Sequence, residues 1–231
     1  MKVSVCMATH NGERFLRPQL DSILTQLGKE DELVISDDDS TDGISAILAS
    51  YNDSRMRILP PQQFEGPARN FEYALRHCTN ELIFLADQDD VWHPQKIEIM
   101  RDAMQYTDLA VCDCRLTDQE LKTIFPSFFK INKSRPGLLK NLFRNSYMGC
   151  CMAFRRLVLE KALPFPDAIP LHDLWIGLIA ERHFRIAFLP EILVDHRRHQ
   201  NNYSTTGGSS RYSFKKKLEM RFHLANKLLF R

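Results

Sequence analysis

Apolar positions along this 231-residue chain follow two alternating periods, and the alternation is regular through the first half. Val3–Ala8 is a near-continuous apolar run, the pattern of a strand covered on both faces. Phe15, Leu16, Leu20, Ile23, Leu24 and Leu27 then recur at helical spacing and predict a helix over Phe15–Gln26. Leu33–Ser36 is a second strand, and Asp42-Gly43 opens a helix through Ile44, Ile47 and Leu48. Met56–Leu59 is a short third strand. Pro67–Cys78 is a helix with proline in its first turn, where the missing N–H costs nothing. Glu81–Ala86 is a fourth strand, Pro94 starts a helix carrying Ile97, Ile99, Met100 and Met104, and Leu109–Cys114 is a fifth strand. Strand and helix alternating at this spacing mean βαβ units. The expected fold class is α/β: one domain built on a mostly parallel, Rossmann-like sheet with helices on both faces.

The second half is less regular. Residues 115–145 read as loop, broken at Phe125-Pro126 and Arg135-Pro136-Gly137. Cys150–Phe154 reads as a strand and Leu171–Glu181 as a helix, while Pro190 splits Arg185–Leu189 and Ile192–Asp195 into a pair of strands. Residues 201–210 are polar and Gly/Ser-rich, the composition of a mobile stretch. From Phe214 onward Leu218, Phe222, Ala225 and Leu229 continue a helical stripe. The division expected is a 1–210 domain, with halves at 1–114 and 115–210, followed by a basic amphipathic segment at 211–231.

Composition changes the picture only by exclusion. With 44% apolar and 26% charged residues the chain is neither disordered, collagenous nor a coiled coil. No apolar run approaches the roughly 18 residues that would suggest a membrane span. Met1–Cys6 reads as a strand without the apolar core of a signal peptide, so a cytoplasmic location is expected. The six cysteines lack zinc spacing and are expected to be small buried thiols in a reducing compartment. The net charge of +2 conceals an asymmetry: residues 211–231 hold seven Lys or Arg against Glu219, leaving residues 1–210 at −4. A second basic stretch, 121–159, holds eight Lys or Arg and no acid. Basic segments on an acidic body suggest an anionic partner; without a recognised nucleic-acid fold, that partner is expected to be a membrane surface bound through 211–231, the alternative being a C-terminal helix packed on the domain with a solvated basic face.

Ligands of parallel sheets bind beyond the carboxyl ends of the strands. That rule selects Thr9-His10-Asn11-Gly12, Asp37-Asp38-Asp39-Ser40-Thr41-Asp42 and Asp87-Gln88-Asp89-Asp90. Helix capping explains one carboxylate per turn, not three. Crowded carboxylates repel unless a cation joins them or one stays protonated, and hard oxygen donors suit Mg²⁺ or Mn²⁺. Asp87 and Asp89, two apart in a turn, can point at one ion. Neither Gly-rich phosphate motif is present, so phosphate would be held through the metal. The second half adds His172-Asp173 at a helix start and the cluster His196-Arg197-Arg198-His199.

Taken in order, Val3–Gly12, Ile35–Gly43, Leu85–Trp92, His172-Asp173-Leu174-Trp175 and His196–Asn202 resemble five motifs of glycosyltransferase family 2, in particular its bacterial rhamnosyltransferase-like enzymes. Three positions depart from the pattern: Asp39 where glycine is usual, Leu174 where Trp is common, and His196 where Tyr is common. The resemblance implies a GT-A fold and inverting sugar transfer from a nucleotide-sugar donor, UDP- or dTDP-linked and including dTDP-rhamnose. The acceptor it implies is a growing, lipid-linked surface saccharide at the cytoplasmic face of the inner membrane. It places Thr9, Asn11 and Asp38 at the nucleoside with Asp37 close by, and makes Asp87 and Asp89 the ligands of Mn²⁺ or Mg²⁺ with Asp90 in support. It makes Asp173 the general base, His199 a further metal or diphosphate contact, and Arg197 a group at the leaving diphosphate. Two rival readings stand beside it. Asp87-Gln88-Asp89-Asp90-Val91 also fits the nucleophile motif of haloacid-dehalogenase-like phosphatases, which however place it after the first strand. A non-enzymatic basic surface-binding module would account for the tail but not for the acidic clusters.

Overall fold

The computed structural model describes residues 1–64, 66–167, 169, 171–200, 202 and 214–231, with backbone alone for 214–217. The expected mobile stretch at 201–210 lies, save Asn202, outside the described residues. Strands β1 (Val3–Thr9), β2 (Glu32–Asp37), β3 (Met56–Ile58) and β4 (Leu82–Asp87) form a parallel unit in the order β3-β2-β1-β4. The middle residues of β1, β2 and β4 are fully buried, as near-continuous apolar runs require, whereas edge strand β3 is largely exposed. Helices α1 (Glu13–Leu24), α2 (Ile44–Ala49) and α3 (Pro67–His77) make the crossovers. Amphipathicity docks them: α1 buries Phe15, Leu16, Leu20, Ile23 and Leu24.

Beyond β4 the chain adds β5 (Val91–Trp92), α4 (Lys96–Ala103) and β6 (Leu109–Thr117). The segment expected as loop is structured: β6 runs on through Thr117, β7 (Thr123–Phe125) pairs with it, and α5 (Phe128–Asn132) and α6 (Leu138–Phe143) follow. Elements of three to six residues are too short to display a period, which is why the pattern missed them. α5 is fixed by its cap: Ser127 Oγ accepts from Lys130 N at 3.1 Å. β8 (Met152–Arg155) inserts antiparallel between β4 and β6, and α7 (Arg156–Ala162) leads to α8 (His172–His183). The long ladders, β1 with β2 and β4 and β6 with the last strand, are parallel, so the sheet is mostly parallel with antiparallel additions.

That last strand, β9 (Ile186–Arg197), is continuous where two strands were expected. Its register against β6 jumps from Cys112↔Leu189 to Asp113↔Ile192, so Pro190 and Glu191 bulge out of the ladder and no bond to the missing proline N–H is needed. Helix α9 (Phe214–Leu229) buries Leu224 and Leu228 against the domain. All six cysteines are buried free thiols.

Candidate active site

Because β1, β2 and β4 are parallel neighbours, their carboxyl ends open at one edge. Thr9 ends β1, and its Oγ1 donates to Asp37 Oδ1 at 2.6 Å, while Asp38 N donates to Thr9 O at 2.9 Å. The other Asp37 oxygen accepts from Ser40 N at 2.9 Å. Asn11, at φ 45°, accepts from Thr41 N at 2.9 Å and clamps the β1 turn to the β2 turn. Asp38 Oδ1 accepts from Phe64 N at 2.8 Å. Asp39 has φ 46°, a left-handed position that glycine takes without strain and aspartate tolerates better than most residues.

The turn after β4 is tied to the first turn by Gln88. His10 N donates to Gln88 Oε1 at 2.9 Å, and Gln88 Nε2 donates to His10 O at 2.8 Å. This needs Gly12: a Cβ there would lie 2.2 Å from Gln88 Cδ. With Gln88 so held, Asp87 and Asp89 both open onto one cavity. Burial, reinforced by repulsion from Asp90 and Asp89, pushes the Asp87 carboxyl well above the usual range. Asp89 Oδ2 pairs with His199 Nε2 at 2.7 Å and accepts from Asn202 Nδ2 at 3.0 Å. His199 stacks on Phe15 at 4.8 Å, and the Arg197 guanidinium lies 4.7 Å from the same ring. Arg197 Nε donates to Asp89 O at 2.8 Å and Nη1 to Gln119 O, so this residue braces the Asp89 turn from behind.

Behind the turn, Asp90 Oδ1 pairs with His196 Nδ1 at 3.0 Å and accepts from Arg197 N at 3.0 Å. Burial opposes charge on both partners, yet each charge outweighs it on the other: His196 is raised well above its ordinary value and Asp90 is lowered. With Cys150 Sγ, these atoms are the three-ligand set that among the described residues lies within 4.8 Å. The thiol is raised well above its ordinary value by its bond to Cys151 and by burial. In this arrangement Asp90 and His196 form a buried ion pair with the Cys150 thiol 3.8 Å from His196 Nδ1, bracing the sheet edge.

From the other half, α8 starts at the opposite wall of the cavity. Asp173 Oδ1 accepts from Leu174 N at 2.6 Å and Oδ2 from Gly149 N at 3.2 Å. Burial raises its pKa to about 6, against those amide bonds, which lower it. That value suits a base working near neutrality. Gly149 lets the chain pass close, since a Cβ there would sit 3.2 Å from His172 Nε2. His172 is stacked on Phe71 at 4.0 Å, its Nε2 has no hydrogen-bond partner, and burial lowers its pKa to about 3.

One cavity of about 990 Å³ is thus lined by Thr9, Asn11, Asp38, Asp87, Asp89, Asp173 and His199. Asp37 and Arg197 stand behind its wall. Asp87, Asp89 and His199 line it with two carboxylates and an imidazole, hard to borderline donors of the kind that suits Mn²⁺ or Mg²⁺, although their ligand atoms do not all lie within 4.8 Å of one another; a cation there would relieve the carboxylate repulsion. Gln88, Gly12, Phe15, Gly149 and Asn202 were not singled out as site residues by sequence reasoning, because their roles depend on partners far away in the chain.

These features have counterparts among known proteins. The profile described as "Glycosyl transferase family 2" matches residues 4–163. The chain is 24% identical over 186 residues to the Escherichia coli UDP-Glc:alpha-D-GlcNAc-diphosphoundecaprenol beta-1,3-glucosyltransferase WfgD, covering 78% of this chain and 71% of that one. Its fold superposes on S. aureus TarS 1–349 in complex with UDP-GlcNAc with TM-score 0.77, at 20% identity, over 98% of this chain and 66% of that one. It superposes on the Pyrobaculum calidifontis mannosyltransferase PcManGT, in complex with GDP-Man and Mn²⁺, with TM-score 0.66, at 21% identity, over 87% and 58%. Two further curated relatives are longer, and the chain spans 54% and 66% of their length. The fold is that of the GT-A class of glycosyltransferases. Within that class, the chain belongs to glycosyl transferase family 2, which favours the transferase reading over the phosphatase and the passive module.

Proposed function

We propose that the protein transfers a sugar, with inversion, from a UDP- or dTDP-sugar to a hydroxyl of a lipid-linked saccharide. The observation that carries this reading is the shared cavity: Asp38 from β2, Asp87 and Asp89 from β4 and Asp173 from α8 meet around one space. Thr9, Asn11 and Asp38 hold the nucleoside, with Asp37 fixing the shape of their turn. Asp87, Asp89 and His199 would hold Mn²⁺ or Mg²⁺, which when bound would supply Lewis-acid stabilisation of the leaving diphosphate. Arg197 acts through the Asp89 turn that it braces. Asp173 Oδ takes the proton of the acceptor hydroxyl as that oxygen attacks the anomeric carbon from the face opposite the diphosphate. One base and one in-line displacement invert the centre. A cavity of about 990 Å³ has room for a nucleoside-diphosphate sugar.

WfgD is named for a GlcNAc-diphosphoundecaprenol acceptor, the TarS structure holds UDP-GlcNAc, and the PcManGT structure holds GDP-Man and Mn²⁺. They support a nucleotide-sugar donor, a divalent ion and a lipid-linked acceptor here. Work at the cytoplasmic face of a membrane follows from such an acceptor; no described helix is long and apolar enough to cross one. A panel of nucleotide sugars tests the reading. Mn²⁺-dependent transfer or hydrolysis of at least one UDP- or dTDP-sugar is the expected result, and phosphate release from simple monoesters in its place would restore the phosphatase.

A further inference from the structure

The apolar side chains of α9 divide into two sets. Leu224 and Leu228 are buried, and Arg182 donates to Leu228 O at 2.7 Å, so this side of the helix is docked. Phe222, Leu229 and Phe230 are 69%, 67% and 84% exposed. Leu218, Phe222 and Leu229, at i, i+4 and i+11, share one side of the helix, displaced from the docked side. Beside it, α6 leaves Leu139 and Phe143 73% and 62% exposed. The two helices make one surface: Arg221 of α9 lies 5.1 Å from the Phe143 ring centroid and donates to Phe143 O at 2.7 Å. Clustered exposed aromatic and aliphatic side chains mark an interaction site.

Charge identifies the occupant. The 121–159 stretch that contains α6 has eight cations and no acid, and Lys133, Arg135 and Arg144 are exposed beside the patch. An apolar patch rimmed by cations matches an anionic lipid leaflet, into which rings insert while cations stay at the headgroups. The surface also adjoins the cavity. Arg144 Nε donates to Asn132 Oδ1 at 3.1 Å, Asn132 Nδ2 donates to Asn145 O at 2.8 Å, and both asparagines line the cavity wall. We infer that the α6–α9 face seats the enzyme on an anionic bilayer surface and so presents the cavity to its acceptor, an inference that rests on the lipid-linked acceptor proposed above.

The test is co-sedimentation of the full chain with vesicles of phosphatidylcholine alone or mixed with phosphatidylglycerol, at low and high salt. The wild type is expected to sediment with the anionic vesicles and to be released by salt. Leu139→Ser/Phe143→Ser and Phe222→Ser/Phe230→Ser, all at exposed positions, should each weaken binding roughly tenfold or more. A wild type that stays in the supernatant, binding indifferent to phosphatidylglycerol, or variants that bind like the wild type would overturn the inference. Mn²⁺-dependent UDP binding, measured on the same samples, keeps the two readings apart: its absence in the wild type counts against the transferase, its retention in non-sedimenting variants isolates the surface.

Discussion

The two walls of the cavity are built differently. On the donor wall, three parallel strand ends are laced together by their own side chains: Thr9 to Asp37, Asn11 to Thr41, and Gln88 to His10. On the acceptor wall, Asp173 is held by main-chain amides and its neighbour His172 leaves Nε2 unpartnered. Cross-linked turns hold their side chains in a fixed constellation, which is what preorganised stabilisation of the proposed diphosphate and ion would require. A buried carboxylate with few partners keeps the raised pKa that a base needs. On the proposed mechanism the contrast separates metal chemistry from proton transfer, so that substitutions should break one wall without the other.

The largest effect is expected on the donor wall. Asp89→Ala removes the partner of His199 and Asn202 and, with it, the ion; losing several kcal/mol of leaving-group stabilisation abolishes measurable transfer. Turnover assays with and without EDTA check this, with the melting temperature confirming that the strand-end residue leaves the fold intact. Next comes Asp173→Asn, which keeps size but cannot accept a proton: turnover should fall roughly 10²- to 10⁴-fold. If Asp173 only caps α8, the rate stays near normal. Smaller again is Gly12→Ala, whose methyl displaces Gln88 and uncouples the β1 and β4 turns. Donor KM should rise about tenfold with kcat less affected, the split expected of lost ground-state positioning.

The pH profile sharpens the acceptor side. With Asp173 titrating at about 6, kcat/KM in the wild type should fall about tenfold per unit below that pH and level off above it. Stability moves the other way. A carboxyl raised from its ordinary 3.8 to about 6 contributes stability below the unfolded value and loses it as pH rises through 6. Asp173→Asn should therefore gain on the wild type between pH 5 and pH 8, by on the order of a few degrees in Tm. Parallel melting curves at the two pH values decide it.

The same contrast governs what could be read from the sequence. β1, β2 and β4 are continuous apolar runs, α1 and α3 are long enough to show a period, and α8 is buried without a break from Leu174 to Ala180. The carboxylates of both walls were legible as clusters at predicted strand ends and a helix start. β7, α5, α6 and α7 are shorter than any period can reveal, the antiparallel sense of β8 depends on partners the pattern does not name, and the Pro190 bulge reads as a break. Within the site, the Gln88 clamp joins residues 78 apart and the Asp89–His199 pair residues 110 apart. Such contacts exist only once the sheet has formed. On α9 the stripe Phe214, Leu218, Phe222, Ala225 and Leu229 was legible, but packing uses Leu224 and Leu228, on a different side of the helix.

The separation of the walls is tested most directly by calorimetric titration of UDP in the presence of Mn²⁺ into the wild type, Asp89→Ala and Asp173→Asn. The account predicts that Asp89→Ala loses Mn²⁺-dependent affinity while Asp173→Asn binds like the wild type. Loss of affinity in Asp173→Asn, or unchanged affinity in Asp89→Ala, would contradict it.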